Sequence, residues 1–113
     1  MEKIVAQGLL YDFYGELLTK HQRKIYEDAV YNDLSLSEIA QEQGISRQGV
    51  HDLIKRCDHI LEGYESKLHL VEKFNLIKDK TELINGLTEN KQLGHEQLRT
   101  EIKKLSDEIL EAL

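Results

Sequence analysis

LSEIAQEQGISRQGVHDLIKR, Leu36 to Arg56, is the stretch that decides the fold. It reads as a short helix, a tight turn and a second helix. Ile39 and Ala40 suit the inner face of the first helix, and Ala40 is small where two helices cross closely. Gly44 stands where that helix must stop, because glycine tolerates the left-handed conformation such a stop needs. Ser46 offers a hydroxyl to cap the next helix. Val50, Leu53 and Ile54 then bury the second helix at helical spacing. Arg47, Gln48, His51, Asp52, Lys55 and Arg56 are left facing outward. In a helix-turn-helix the N-terminal residues of the second helix meet base edges. Arg47 and Gln48 are the side-chain types that pair bidentately with guanine and adenine.

Working outward, the upstream chain predicts two more helices. The first covers residues 3–18, with Ile4, Val5, Leu9, Leu10, Phe13, Tyr14, Leu17 and Leu18 as one broad apolar stripe. Tyr11, Phe13 and Tyr14 fall close together, and core packing explains them better than a base-stacking platform, which needs exposed rings. Thr19 to Gln22 is a capping box, which opens a helix running to about Tyr31 with Ile25, Tyr26, Ala29 and Val30 facing in. Lys20, Arg23 and Lys24 on its first turns are candidate phosphate contacts beside the second helix of the motif, or else a solvated face. Asn32 to Ser35 is a turn. Ser35 or Ser37 caps the helix that follows, and Ser35 to Glu38 fits a second capping box.

Downstream the apolar pattern does not stop. Cys57, Ile60, Leu61, Tyr64, Leu68, Val71, Phe74, Leu76 and Ile77 continue it at steps of mostly three and four. This predicts one very long helix reaching Leu83 and Ile84, with Gly63 as a bend or boundary. Asn85-Gly86 is a turn signal, with a helix restarting at Thr88. Leu98, Ile102, Leu105, Ile109 and Ala112 have coiled-coil spacing. The last helix is expected to fold back on the long one and also to pair with another chain, since one hairpin cannot cover two stripes. Residues 1–62 form the expected helix-turn-helix domain, and 63–113 a helical extension serving as hairpin and oligomerisation region.

Composition bounds the rest. The 113 residues contain no proline and no tryptophan, and 32% are charged, which points to an all-α chain. The net charge of −6 is unusual for a nucleic-acid binder, and a basic protein is the more natural partner of such a surface. The outward face of the second helix carries three positive charges against Asp52, so phosphate binding through it is expected to be weak and salt-sensitive. A single cysteine, Cys57, permits no internal disulfide; its place on the apolar stripe predicts a buried, inert thiol. No stretch has the ~18 apolar residues that span a membrane, and the N-terminus is too charged for a signal peptide, so a cytoplasmic protein is expected. The five histidines lack metal-ligand spacing, no phosphate loop is present, and no nucleophile has a base beside it. Neither an enzyme nor a cofactor site is expected.

The central stretch resembles the helix-turn-helix of sigma-70 region 4. With the preceding LLYDFYGELLTKHQRKIYEDAVYNDLSLSEIA, and above all Tyr14 to Gln22, the chain resembles the YlxM family of small bacterial helix-turn-helix proteins. The resemblance is firm from about Leu9 to Glu62 and looser through the tail. It implies an all-α bundle of the sigma-70 region 4 type with a long C-terminal helical extension. It also implies a role in the signal recognition particle pathway, with the particle's small RNA and its GTPase as partners. A chain of this length cannot hold the promoter-opening domain of a sigma factor. Three functions follow as expectations. The first is an accessory protein of that pathway, contacting nucleic acid through Arg47, Gln48, His51, Lys55 and Arg56, helped by Lys20, Arg23 and Lys24. The second is a dimeric DNA-binding regulator, and the third a pure protein-interaction module.

Overall fold

The computed structural model describes residues 3–113, and every described element is helical. The chain divides into two compact units, Met1–His69 and Leu70–Leu113. The first holds α1 (Lys3–Tyr14), a 3-10 turn (Gly15–Leu17), α2 (Lys20–Val30), α3 (Leu36–Gln43) and α4 (Arg47–Leu68); the second holds α5 (Leu70–Glu89) and α6 (His95–Ala112).

Local chemistry sets the boundaries in the first unit. Thr19 and Ser35 each accept from the backbone N–H three residues on, and Gln22 and Glu38 return the bond to the cap's own N–H. Both capping boxes read from the sequence are therefore present, with Ser35 rather than Ser37 as the cap of α3. The core forms where α2, α3 and α4 meet. Ile25, Ile39, Ala40 and Val50 are its buried centre, ringed by Ala29, Leu34, Leu36, Leu53 and Ile54. Asp28 closes the turn after α2: its carboxylate accepts from Asn32 Nδ2 at 2.8 Å and lies 3.3 Å from Lys24 Nζ.

α1 departs from the expectation. It ends at Tyr14 instead of Leu18, and of its eight-residue stripe only Tyr14 and Leu18 are buried, while Ile4, Val5 and Leu17 are exposed. The 3-10 turn rotates the chain after Tyr14. A Cβ on Gly15 would stand 2.7 Å from the Tyr11 ring, so a larger residue there would require that ring, which stacks on Tyr26, to shift.

α1 is held to its neighbours by tyrosines instead of by a leucine stripe. Tyr11 stacks on Tyr26 and donates to Glu27. Tyr31 donates to Asp12 at 2.6 Å. Tyr26 donates to Asp58 on α4 at 2.5 Å, and Gln7 donates to both oxygens of the same carboxylate. Tyr14 stacks on Tyr64 and donates to Glu65 at 2.6 Å. Tyr11 and Tyr14 thus belong to packing, as expected, with carboxylates as their acceptors, whereas Phe13 is exposed.

These hydroxyls give the fold an alkaline limit. Burial, then the carboxylate acceptor, pushes the Tyr11, Tyr26 and Tyr31 phenols above their ordinary 10.0, and burial pushes the Cys57 thiol from 9.0 to about 11. A group raised in the folded state contributes stability that is complete below its unfolded value and lost as pH climbs past it. The melting temperature should therefore hold to about pH 9, begin to fall as the unfolded thiol ionises, and fall more steeply above 10. Melting curves between pH 8 and 11.5, paired with phenolate absorbance of the native protein, check this. A melting temperature flat through pH 11 would overturn it.

The long helix expected from Arg47 to Ile84 breaks at His69, which takes a left-handed conformation (φ 56) and caps α4 through its N–H to Glu65 O. Histidine is one of the few non-glycine residues that populate this region readily. Gly63 lies inside α4 and ends nothing. Asn85-Gly86 likewise lies within α5, so the expected turn and the restart at Thr88 are both displaced. The turn falls at residues 90–94, where Asn90 Oδ1 accepts from the Gln92 N–H at 3.0 Å and Gly94 caps α6. The last helix does fold back: α6 packs antiparallel on α5, with Lys80 Nζ 2.6 Å from Glu108. Among the described residues of this hairpin only Leu105 is buried, and Leu76, Leu83 and Leu110 remain exposed.

Candidate nucleic-acid interface

The α3–α4 corner presents the candidate surface. Gly44 ends α3 in the left-handed conformation (φ 69), and the Ile45 N–H returns to Ala40 O at 3.1 Å. This turn aims the chain so that Ser46 caps α4, its Oγ accepting from the Gly49 N–H at 2.9 Å. Val50 is buried against α3, and Leu53 and Ile54 follow it inward. With that face committed, Arg47, Gln48, His51, Asp52, Lys55 and Arg56 all stand exposed, as the helical period required.

The exposed residues are not equivalent. Gln48 Nε2 donates to Asp52 Oδ1 at 2.9 Å, and His51 Nδ1 lies 3.7 Å from the same oxygen. Arg47, Lys55 and Arg56 form no ion pair among the described residues, so their charges are available to a ligand. On α2, Lys20, Arg23 and Lys24 are exposed, but two of them have acidic or phenolic neighbours on their own unit. Lys24 sits by Asp28, and Arg23 faces Tyr11, where it opposes the rise of that phenol. Among the described residues no hydrogen bond or ion pair joins this trio to the α4 group. In the sequence Asp52 stands out only as a countercharge to the three cations. Its spacing of four from Gln48 was the available signal that the two form a pair.

Cys57 is buried on the inner face of α4, with its thiol held protonated. Among the described residues no three His, Cys, Asp or Glu side chains group as metal ligands, and no helix is long and apolar enough to cross a membrane.

Comparison with known proteins agrees with this geometry. The family described as "Putative helix-turn-helix protein, YlxM / p13 like" matches residues 1–105. A UPF0122 protein of Acetivibrio thermocellus is 40% identical over 113 residues, covering the whole chain and 95% of the relative. One from Caldanaerobacter subterraneus is 54% identical over 76 residues, 67% of this chain and 65% of the relative. One from Malacoplasma penetrans is 43% identical over 98 residues, 87% of this chain and 88% of the relative. An all-helical chain built on a capped helix-turn-helix, and matched by that model over nearly its full length, belongs to the YlxM/p13-like UPF0122 family of helix-turn-helix proteins.

Proposed function

We propose that this protein is a cytoplasmic, non-enzymatic nucleic-acid-binding regulator that acts in the signal recognition particle pathway, touching the particle's RNA, its GTPase, or both. The observation that carries nucleic-acid binding is the set of three unpaired cations, Arg47, Lys55 and Arg56, on the exposed face of the second helix of the motif. The pathway comes from the family resemblance. A-form RNA hides its major groove, so RNA binding here works through phosphates, shape and unpaired bases.

A second reading, a homodimeric DNA-binding regulator, is favoured by the hairpin. Leu76, Leu83 and Leu110 are exposed on it, and a depression of about 490 Å³ opens between α5 and α6, lined in part by Leu83, Leu87 and Leu105. Such faces are where chains associate. A dimer reading DNA would hold its two α4 N-termini ~34 Å apart.

One titration separates the two. The purified chain is run against the small signal recognition RNA, random duplex DNA and the GTPase subunit, at two salt concentrations, beside the double variant Arg47→Glu/Lys55→Glu. Light scattering reports the oligomer. The expected result is salt-sensitive binding that favours the RNA. The variant should lose at least about tenfold and show a salt slope shallower by roughly two. Equal or tighter binding to DNA would remove the pathway reading and leave the second. Undiminished nucleic-acid binding by the variant would remove the α4 face from both readings.

A further inference from the structure

The outward face of α4 carries a carboxylate where a plain phosphate clamp would carry none. Asp52 is exposed, lies between Arg47 and Lys55 in sequence, and opposes three cations on the same face. Its partner is Gln48, at 2.9 Å. An ionised carboxylate has no donor, so it is the amide nitrogen of Gln48 that must face Asp52. This fixes what the pair shows to solvent. Among the described residues Gln48 Oε1 and Asp52 Oδ2 have no hydrogen-bond partner, and both are acceptors only. Gln48 acting alone presents a donor and an acceptor together, which suits adenine. Held by Asp52 through one of its two amide hydrogens, it presents its acceptor oxygen and the remaining N–H, and leaves Asp52 Oδ2 as a pure acceptor. The exposed face therefore carries one acceptor-only group, Asp52, beside the mixed amide of Gln48, with cationic donors at Arg47, Lys55 and Arg56 on either side.

We infer that Asp52, oriented by its bond from Gln48, is a specificity-determining residue that selects base edges bearing an exocyclic amino group, cytosine N4 or adenine N6, and selects against ligands that offer only phosphate. A carboxylate accepting from cytosine N4 is a standard base contact, whereas a carboxylate beside a phosphate is repelled. The ligand class is consequently a nucleic acid with open base edges, and a uniform A-form duplex is disfavoured because it buries those edges in a groove side chains cannot enter. This inference rests on the nucleic-acid reading above and adds the base preference to it.

The test uses the full chain with single-stranded 20-nucleotide oligo(rC) and oligo(rU), which differ at position 4 by an amino group against a carbonyl, and with random duplex DNA. Wild type should bind oligo(rC) at least about fivefold more tightly than oligo(rU), the low end of what one good base contact contributes. Asp52→Asn restores a donor and removes the charge. It should erase that preference, tighten binding to oligo(rU), and steepen the salt slope by roughly one. Circular dichroism confirms that an exposed substitution of this kind leaves the helices intact. Equal binding of both oligonucleotides by wild type, or a preference that survives Asp52→Asn, overturns the inference. Binding to duplex DNA alone leaves the nucleic-acid reading standing and overturns the inference. Binding to none of the three removes both.

Discussion

Ile39→Ala should cost about 2–5 kcal/mol of folding stability, a large part of the 5–15 kcal/mol that holds a typical domain. Ile39 is fully buried and packs with Ile25, Ala40 and Val50 where α2, α3 and α4 meet. Three methyl or methylene groups are removed, and the neighbours cannot close the gap freely because α3 is capped at both ends, by Ser35 and Gly44. Urea denaturation gives the answer: the midpoint should fall with the slope unchanged. The effect on function should be indirect, because α3 is the support against which Val50 sets α4. A loss below about 1 kcal/mol would mean that the α2–α3–α4 cluster is not the core of the first unit.

Asp58→Ala should cost about 3 kcal/mol, and Tyr26→Phe about 1. Asp58 accepts from Tyr26 at 2.5 Å and from Gln7 at 2.9 and 3.1 Å, joining α1, α2 and α4 through one carboxylate. Truncating Asp58 strands the hydroxyl of Tyr26, a fully buried residue, without an acceptor, and an unmet buried polar group costs its full desolvation. Removing only the hydroxyl leaves Asp58 bonded to Gln7, so the loss is smaller. Asp58→Asn keeps an acceptor and should fall between the two. Equilibrium unfolding of the three variants gives the order, and Tyr26→Phe proving costlier than Asp58→Ala would contradict this account.

What the sequence made legible follows from the range of each interaction. Thr19, Ser35, Gly44 and Ser46 were readable because a cap bonds its own backbone within three or four residues. The exposed set on α4 was readable because burying Val50, Leu53 and Ile54 leaves the opposite face no alternative. The break at His69 was not readable. It carries no glycine or proline, and the apolar pattern runs straight through it. Asn85-Gly86 misled for the opposite reason: a glycine inside a helix costs only about 1 kcal/mol against alanine, which packing on α6 can outweigh. The tyrosine acceptors were hidden because they stand far off in the chain: Glu27 is 16 residues from Tyr11, and Glu65 is 51 from Tyr14. The pairing of Gln48 with Asp52 is local, at a spacing of four, but in the sequence it is masked by the cations around it.

α4 is a single unbroken helix from Arg47 to Leu68. Its two ends therefore cannot move separately. Glu65, which Tyr14 holds through its hydroxyl, lies roughly 27 Å along the axis from Arg47 at 1.5 Å per residue. Helix α4 is a tie rod: Val50 seats its leading end in the core, Cys57 and Leu61 are buried along its middle, and Tyr14 holds its far end. A displacement at the Tyr14–Tyr64 stack would reach the Ser46–Arg47 end through the helix itself and through the core that seats it. Substitutions at Tyr14 should then alter the affinity of any ligand held at Arg47 from a distance.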